Sequence, residues 1–160
     1  MHRTRIDLPE KNRRKLVDLL NARLADAIDL QLAAKHAHWN VKGPHFIALH
    51  ELFDGLAGAL AAPIDDLAER ITTLGGTADG TLALVARRSA LDPYPPEIVA
   101  GTDHVESLAA ALAVFARGLR KAIGEAGKLG DEGTADLLTG LSREADKQLW
   151  LLEAHQQAAI

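Results

Sequence analysis

Four residues in the first half of the chain are spaced for chemistry. His50 and Asp54 stand four apart, as do Asp65 and Glu69, so within a helix each pair shares one face. An imidazole beside a carboxylate, or two carboxylates together, is half of a site for a divalent metal. The two halves cannot serve one ion within one chain. Fifteen positions separate His50 from Asp65, roughly 22 Å of helix at about 1.5 Å per residue. If both pairs hold the same metal, they come from two antiparallel copies of the helix related by a two-fold axis. Gly55, Ala57, Gly58, Ala59, Ala61 and Ala62, which lie between the pairs, are small enough to let two helices approach closely. On this reading the site exists only in an oligomer.

His38 joins the set. It lies a few residues before the Val41-Lys42-Gly43-Pro44 turn and His50 a few after it, so the two imidazoles can face one another across a hairpin. His38, His50 and Asp54 then form one wall, and Asp65 and Glu69 of a partner chain form the other. Two imidazoles and three carboxylates suit Fe(II), and equally Zn(II) or Mn(II). Singly, each residue is weak evidence, because an Asp or Glu on a helix is usually solvated. The joint pattern is what points to a metal. Two familiar motifs do not fit. His50-Glu51-Leu52-Phe53-Asp54 has Asp where the zinc-protease HExxH needs its second His. No Glu-x-x-His occurs anywhere in the chain, which disfavours a di-iron site buried within one subunit.

These residues need helices to hold them. The composition supplies them: 48% hydrophobic residues with only 4% aromatic favours helices over a β-sandwich. A first helix is expected from about Pro9 to Asn40, with Leu16, Leu19, Leu20, Leu24, Ile28 and Leu32 at helical spacing. A second runs from Phe46 to about Leu74 and ends at Gly75-Gly76. Pro63 interrupts it, either as a kink just before Asp65 or as the start of a fresh segment. Residues 75–101, with Pro93, Pro95 and Pro96, form a long connection with a short helix from about Thr81 to Arg88. A third helix is expected from about Asp103 to Ala126, capped by Thr102 or Asp103 with Glu106 placed for a capping box. Asp131 or Thr134 opens a fourth that continues to near the C-terminus. Two tight hairpins joined by one long crossover make the ferritin-like four-helix bundle pattern, all-α, in a single domain over 1–160 with a short tail of about 1–8.

At 160 residues the chain suits one core. Cys is absent, which excludes disulfides and thiolate metal sites. No secretory signal and no apolar run of membrane-spanning length is expected, so the cytoplasm is the default location. A net charge of −4 makes the chain as a whole repel nucleic acid.

The stretch from Lys35 to Asp54, containing His38-Trp39-Asn40, Gly43-Pro44 and His50-Glu51-Leu52-Phe53-Asp54, closely resembles the signature of the Dps family of mini-ferritins. Asp65-Asp66-Leu67-Ala68-Glu69-Arg70 and Leu74-Gly75-Gly76 continue it in register. Tyr94-Pro95, Arg120 to Ala126 and Asp146 to Trp150 are similar to the family as well. The resemblance implies a hollow dodecamer with ferroxidase centres on its two-fold interfaces. It places the ligands at His38, His50 and Asp54 of one chain and Asp65 and Glu69 of the next. It further implies Fe(II) oxidation, usually by hydrogen peroxide, storage of the Fe(III) mineral inside the shell, and protection of DNA from hydroxyl radicals. By the same resemblance Trp39 is a candidate electron donor, with core packing as its plainer role. Asp131, Glu132 and Asp136 are candidates to line an iron-entry pore, or simply favour a helix start. His36 and His45 are expected at the surface.

Direct DNA compaction, in the nucleoid, is the competing function. Only Arg3 and Arg5 are basic ahead of Asp7, and the last five residues carry no positive charge. Short termini on an acidic shell would need multivalent contacts to bind DNA. The sequence favours iron oxidation.

Overall fold

The computed structural model describes residues 1–158; the final two residues of the expected domain lie outside the described ones. The elements are α1 (Glu10–Asn40), α2 (Phe46–Ala59), α3 (Ala61–Thr73), α4 (Leu82–Arg88), α5 (Gly101–Lys128) and α6 (Glu132–Glu153). There is no strand among the described residues, only an isolated bridge between Lys42 and Ala100. α1 packs along α2 and α3 to make the first hairpin, α5 and α6 make the second, and α1 lies against α5 and α4. This is the expected four-helix bundle, with the second helix divided in two.

Pro63 causes the division. It has no N–H to give the Ala59 carbonyl, and the helix is interrupted at Leu60 before resuming with the Ile64 N–H donating to the Leu60 carbonyl at 3.0 Å. Pro63 thus falls in the first turn of α3, where its missing N–H is tolerated. The core stripe of α1 runs through Leu16, Leu20, Leu24, Ala27, Leu30, Ala34 and Ala37. The expected stripe drifts away from it beyond Leu24: Ile28 is only partly buried and Leu32 is 46% exposed. Small alanines, which carry little hydrophobic signal, take over the seam.

Glycine closes α3. The Gly76 N–H donates to the Ile71 carbonyl and the Gly75 N–H to the Thr72 carbonyl, both at 2.9 Å, a Schellman arrangement. Gly75 has φ +86°, and a Cβ there would stand 2.5 Å from the His2 carbonyl oxygen. The N-terminal segment passes at that point: the His2 N–H donates to the Gly75 carbonyl at 2.7 Å, and Ile6 and Leu8 pack on the core. Arg13, buried, donates to the Leu74 carbonyl at 2.8 Å and to the Leu8 carbonyl at 3.2 Å. A cation therefore sits where the helix dipole favours one.

The start of α5 corrects one expectation. The helix begins at Gly101 with Ala100 as its N-cap and no side-chain cap, so neither Thr102 nor Asp103 caps it. Its position is set by packing instead. A Cβ on Gly101 would come within 2.3 Å of Leu49, and the Lys42 N–H donates to the Val99 carbonyl at 3.0 Å. The α1–α2 turn and the entry to α5 are thereby tied together. α6 is capped as expected, with the Asp131 side chain accepting from the Thr134 N–H at 3.0 Å.

The α2–α3 stretch, Phe46–Thr73, is long and apolar enough by composition to cross a membrane, and only 28% of its most apolar window is buried. His50, Glu51, Asp54, Asp65, Asp66 and Glu69 flank that apolar middle. The stretch therefore offers an uncovered face of small residues bounded by ionisable ones.

Candidate metal centre

The α1–α2 hairpin brings His38 and His50 together as predicted. Their rings stack with centroids 3.7 Å apart. His38 Nδ1 lies 2.8 Å from the His50 carbonyl oxygen, and His50 Nδ1 lies 2.8 Å from the His38 carbonyl oxygen. Because a carbonyl only accepts, both Nδ1 atoms carry the proton and donate. In this tautomer Nε2 is the bare lone pair, the arrangement a metal requires. The donor set fits a divalent metal for that reason. Phe46 covers one side, its ring centroid 5.1 Å from that of His50.

Asp54 lies one turn beyond His50 and is exposed. Lys35 Nζ donates to its carboxylate at 2.6 Å, and this hydrogen bond holds the Asp54 carboxyl below its usual pKa. The same ammonium lies 5.6 Å from the centroid of the Trp39 ring, a cation–π distance. Lys35 is one turn ahead of His38 on the same helix face, the signal by which it could have been picked out. Trp39 itself is 66% exposed, so the plainer expectation of a core tryptophan fails.

Asp65 and Glu69 lie across the Pro63 kink, one turn apart and both exposed. Among the described residues no three His, Asp or Glu side chains converge within one chain to hold a metal. The spacing argument likewise assigns each chain two half-sites. The residue after Glu69 fixes its helix end. Arg70 Nη2 donates to both carboxylate oxygens of Asp131 at 2.7 and 2.9 Å, and Arg70 Nε donates to Thr134 Oγ1 at 2.9 Å. Asp131 is only 4% exposed. Burial opposes its ionisation, but hydrogen bonds from Thr134 and Arg70 outweigh burial and hold its carboxyl below the ordinary range. Asp131 is thus engaged in fastening α3 to α6, and of the three acidic candidates for a pore only Glu132 and Asp136 are exposed.

His45 is exposed at the turn, as expected, but His36 is half-buried. Its Nε2 is buried without a hydrogen-bond partner, and its ring meets Tyr94 edge-on with centroids 5.3 Å apart. Tyr94 in turn bonds His104, fully buried on α5. The i, i+2 spacing shows that His36 points away from His38. It carries no hint of the partners, which come from the crossover and from another helix.

A family model described as a ferritin-like domain matches residues 17–159. The DNA protection during starvation protein of Agrobacterium fabrum is 45% identical over 156 residues, which cover 98% of this chain and 96% of that protein. Among solved structures, a tetragonal form of Mycobacterium smegmatis Dps superposes with a TM-score of 0.94 at 33% identity, covering 99% of this chain and 96% of that one. Dps from Vibrio cholerae O1, described as a member of a broad superfamily of ferritin-like diiron-carboxylate proteins, superposes with a TM-score of 0.91 at 28% identity over 98% of each chain. With the bundle, the long crossover and the hairpin histidines in place, the chain belongs to the Dps family of ferritin-like proteins.

Proposed function

We propose that this chain is an iron-oxidising mini-ferritin whose working sites form between copies of itself. His38, His50 and Asp54 of one copy and Asp65 and Glu69 of a second would bind Fe(II) as substrate. The supporting observation is the pair of stacked imidazoles with both Nδ1 atoms tied to carbonyls and both Nε2 atoms free. The uncovered α2–α3 face supplies the contact: an antiparallel second copy laid along it brings each carboxylate pair to the other chain's histidines and covers the small residues between.

In this reading carboxylates favour the higher charge of Fe(III), and neutral imidazoles hold Fe(II) at neutral pH. Hydrogen peroxide accepts one electron from each of two Fe(II) ions and two protons, leaving two waters and two Fe(III). Lys35 releases Asp54 as the metal takes its place. Single Dps-type units assemble as a dodecamer in the cytoplasm, with ferric mineral inside. Consuming iron and peroxide together is how such a shell would protect DNA. Direct DNA binding is the weaker reading, because the segment bearing Arg3 and Arg5 is anchored to Gly75 rather than free as an arm.

The test is anaerobic Fe(II) loading of the purified assembly followed by stopped-flow absorbance on adding peroxide or oxygen. Rapid ferric formation near two Fe(II) per peroxide is expected. Oxidation no faster than in buffer, together with steeply salt-dependent DNA retention, would favour compaction instead.

A further inference from the structure

On the far side of α1 from His38 lies a half-buried cluster, centred on a fully buried histidine, that iron binding does not use. Tyr94 Oη is 2.7 Å from His104 Nδ1. The two rings are near-parallel, with centroids 6.1 Å apart. His104 is 0% exposed and packs on Phe53, and its Nε2 has no hydrogen-bond partner. The Ile98 carbonyl and Asp103 favour a charged ring, but burial and the neighbouring His36 outweigh them and push the His104 pKa down. The neutral ring of His104 is therefore favoured. With the ring proton on the Nε2 side, Nδ1 is a lone pair and the phenol donates to it. Burial pushes the Tyr94 pKa up, so the phenol does not ionise on its own.

A phenol in this setting gives up an electron readily only if its proton leaves at the same time. The lone pair of His104, within hydrogen-bond distance, is the acceptor. We propose that Tyr94 and His104 form a redox site that donates one electron when the iron site holds a single Fe(II), an inference that rests on the function proposed above. Peroxide needs two electrons. One Fe(II) supplies one, and the second would otherwise be torn from whatever a hydroxyl radical meets. Here Tyr94 supplies it: the phenol loses one electron to the peroxide at the iron site and its proton to His104 Nδ1. Peroxide takes two protons from solvent and leaves as two waters. The products are Fe(III), a neutral phenoxyl radical and an imidazolium bonded to it.

The location suits the task. His36, against the Tyr94 ring, is two residues from His38, so the redox site lies across α1, roughly 10 Å away or one helix diameter. Trp39 is nearer in sequence, but at 66% exposed its radical would meet solvent. The Tyr94 radical keeps its proton beside it, on His104 Nδ1.

The chain has one tyrosine, so ring-deuterated tyrosine labels Tyr94 alone without a mutation. The assembled protein, loaded anaerobically with one Fe(II) per site, is mixed with peroxide, frozen and examined by electron paramagnetic resonance. The expected result is an organic radical whose hyperfine structure collapses with labelled tyrosine, not with labelled tryptophan, and which loses an exchangeable coupling in D2O. In Tyr94→Phe that signal disappears and hydroxyl radical caught by a spin trap rises several-fold, while oxidation at two Fe(II) per site keeps its rate. Ferric iron formed with no radical, or with one that follows only the tryptophan label, would overturn the assignment. If no ferric iron forms, the iron reading has failed. Photochemical one-electron oxidation of the metal-free protein then decides. A tyrosine radical with the exchangeable coupling supports the pair, and a tryptophan radical alone refutes it.

Discussion

Two histidine pairs flank α1, and their surroundings give one residue type opposite chemistry. His38 and His50 stack at the hairpin end with each Nδ1 spent on a backbone carbonyl, leaving both Nε2 atoms as open lone pairs. His36 and His104 sit on the inward side, with both Nε2 atoms buried and without hydrogen-bond partners, and His104 Nδ1 held against a phenol. In the function proposed above, the first pair binds a cation from outside. The second centres on the fully buried His104, which in the further inference accepts a proton from its neighbour. The tautomer that the local hydrogen bond selects decides the role, not the imidazole.

The largest test of the contrast removes each pair in turn. His38→Ala with His50→Ala should bring Fe(II) oxidation by peroxide down to the rate in buffer. His36→Phe should leave it within about two-fold in stopped-flow assays, because a ring of similar volume keeps the packing. Equal losses in both variants would erase the distinction.

Next in size is the Arg70–Asp131 clamp. Arg70→Met leaves Asp131 buried without its cation, which costs about 3 kcal/mol and should appear as a lower denaturation midpoint. The folded pKa of Asp131 lies below its unfolded value. Its contribution is therefore fully present above the ordinary aspartate pKa, about 4, and is lost as pH falls through the lower folded value. The variant's stability should depend less on pH across that acid limb, and an unchanged slope would mean the pair contributes nothing.

Pro63→Ala separates geometry from stability. The proline already occupies a first-turn position, so stability should change by about 1 kcal/mol or less. The straightened helix re-aims Asp65 and Glu69, and the oxidation rate should fall several-fold. The smallest effect is expected at Lys35. Lys35→Met frees the Asp54 carboxylate, and anaerobic Co(II) titration should give binding a few-fold tighter than in the unaltered protein. Weaker binding would make Lys35 a helper rather than a competitor.

Much of this was legible in the sequence because it rests on local spacing. The i, i+4 pairs, the turn between His38 and His50, the Pro63 break and the Asp131 cap each depend on residues within one or two helical turns. What escaped depends on distant partners. Lys35 meets Asp54 across a hairpin, and His36 meets Tyr94 and, through it, His104 from another helix, so neither His36 nor His104 carries a local sign of its role. The start of α5 was misplaced for a related reason: Leu49 against Gly101 and the Lys42–Val99 hydrogen bond fix it, not a capping side chain. The proposed inter-chain site rests on the same kind of local signal: its half-sites stand fifteen residues apart, on α2 and on α3.

The most direct measurement is complementation between two inactive variants. One carries His38→Ala, His50→Ala and Asp54→Ala; the other carries Asp65→Ala and Glu69→Ala. Each assembled alone should oxidise Fe(II) no faster than buffer. Co-assembled after joint unfolding and refolding, each mixed pair regains one of its two sites. For random pairing, about a quarter of the sites should then turn over across a two-fold interface. Recovery near that fraction is the predicted result. Mixed assemblies as inactive as their parents, with mixing verified by mass, would contradict a site shared between chains.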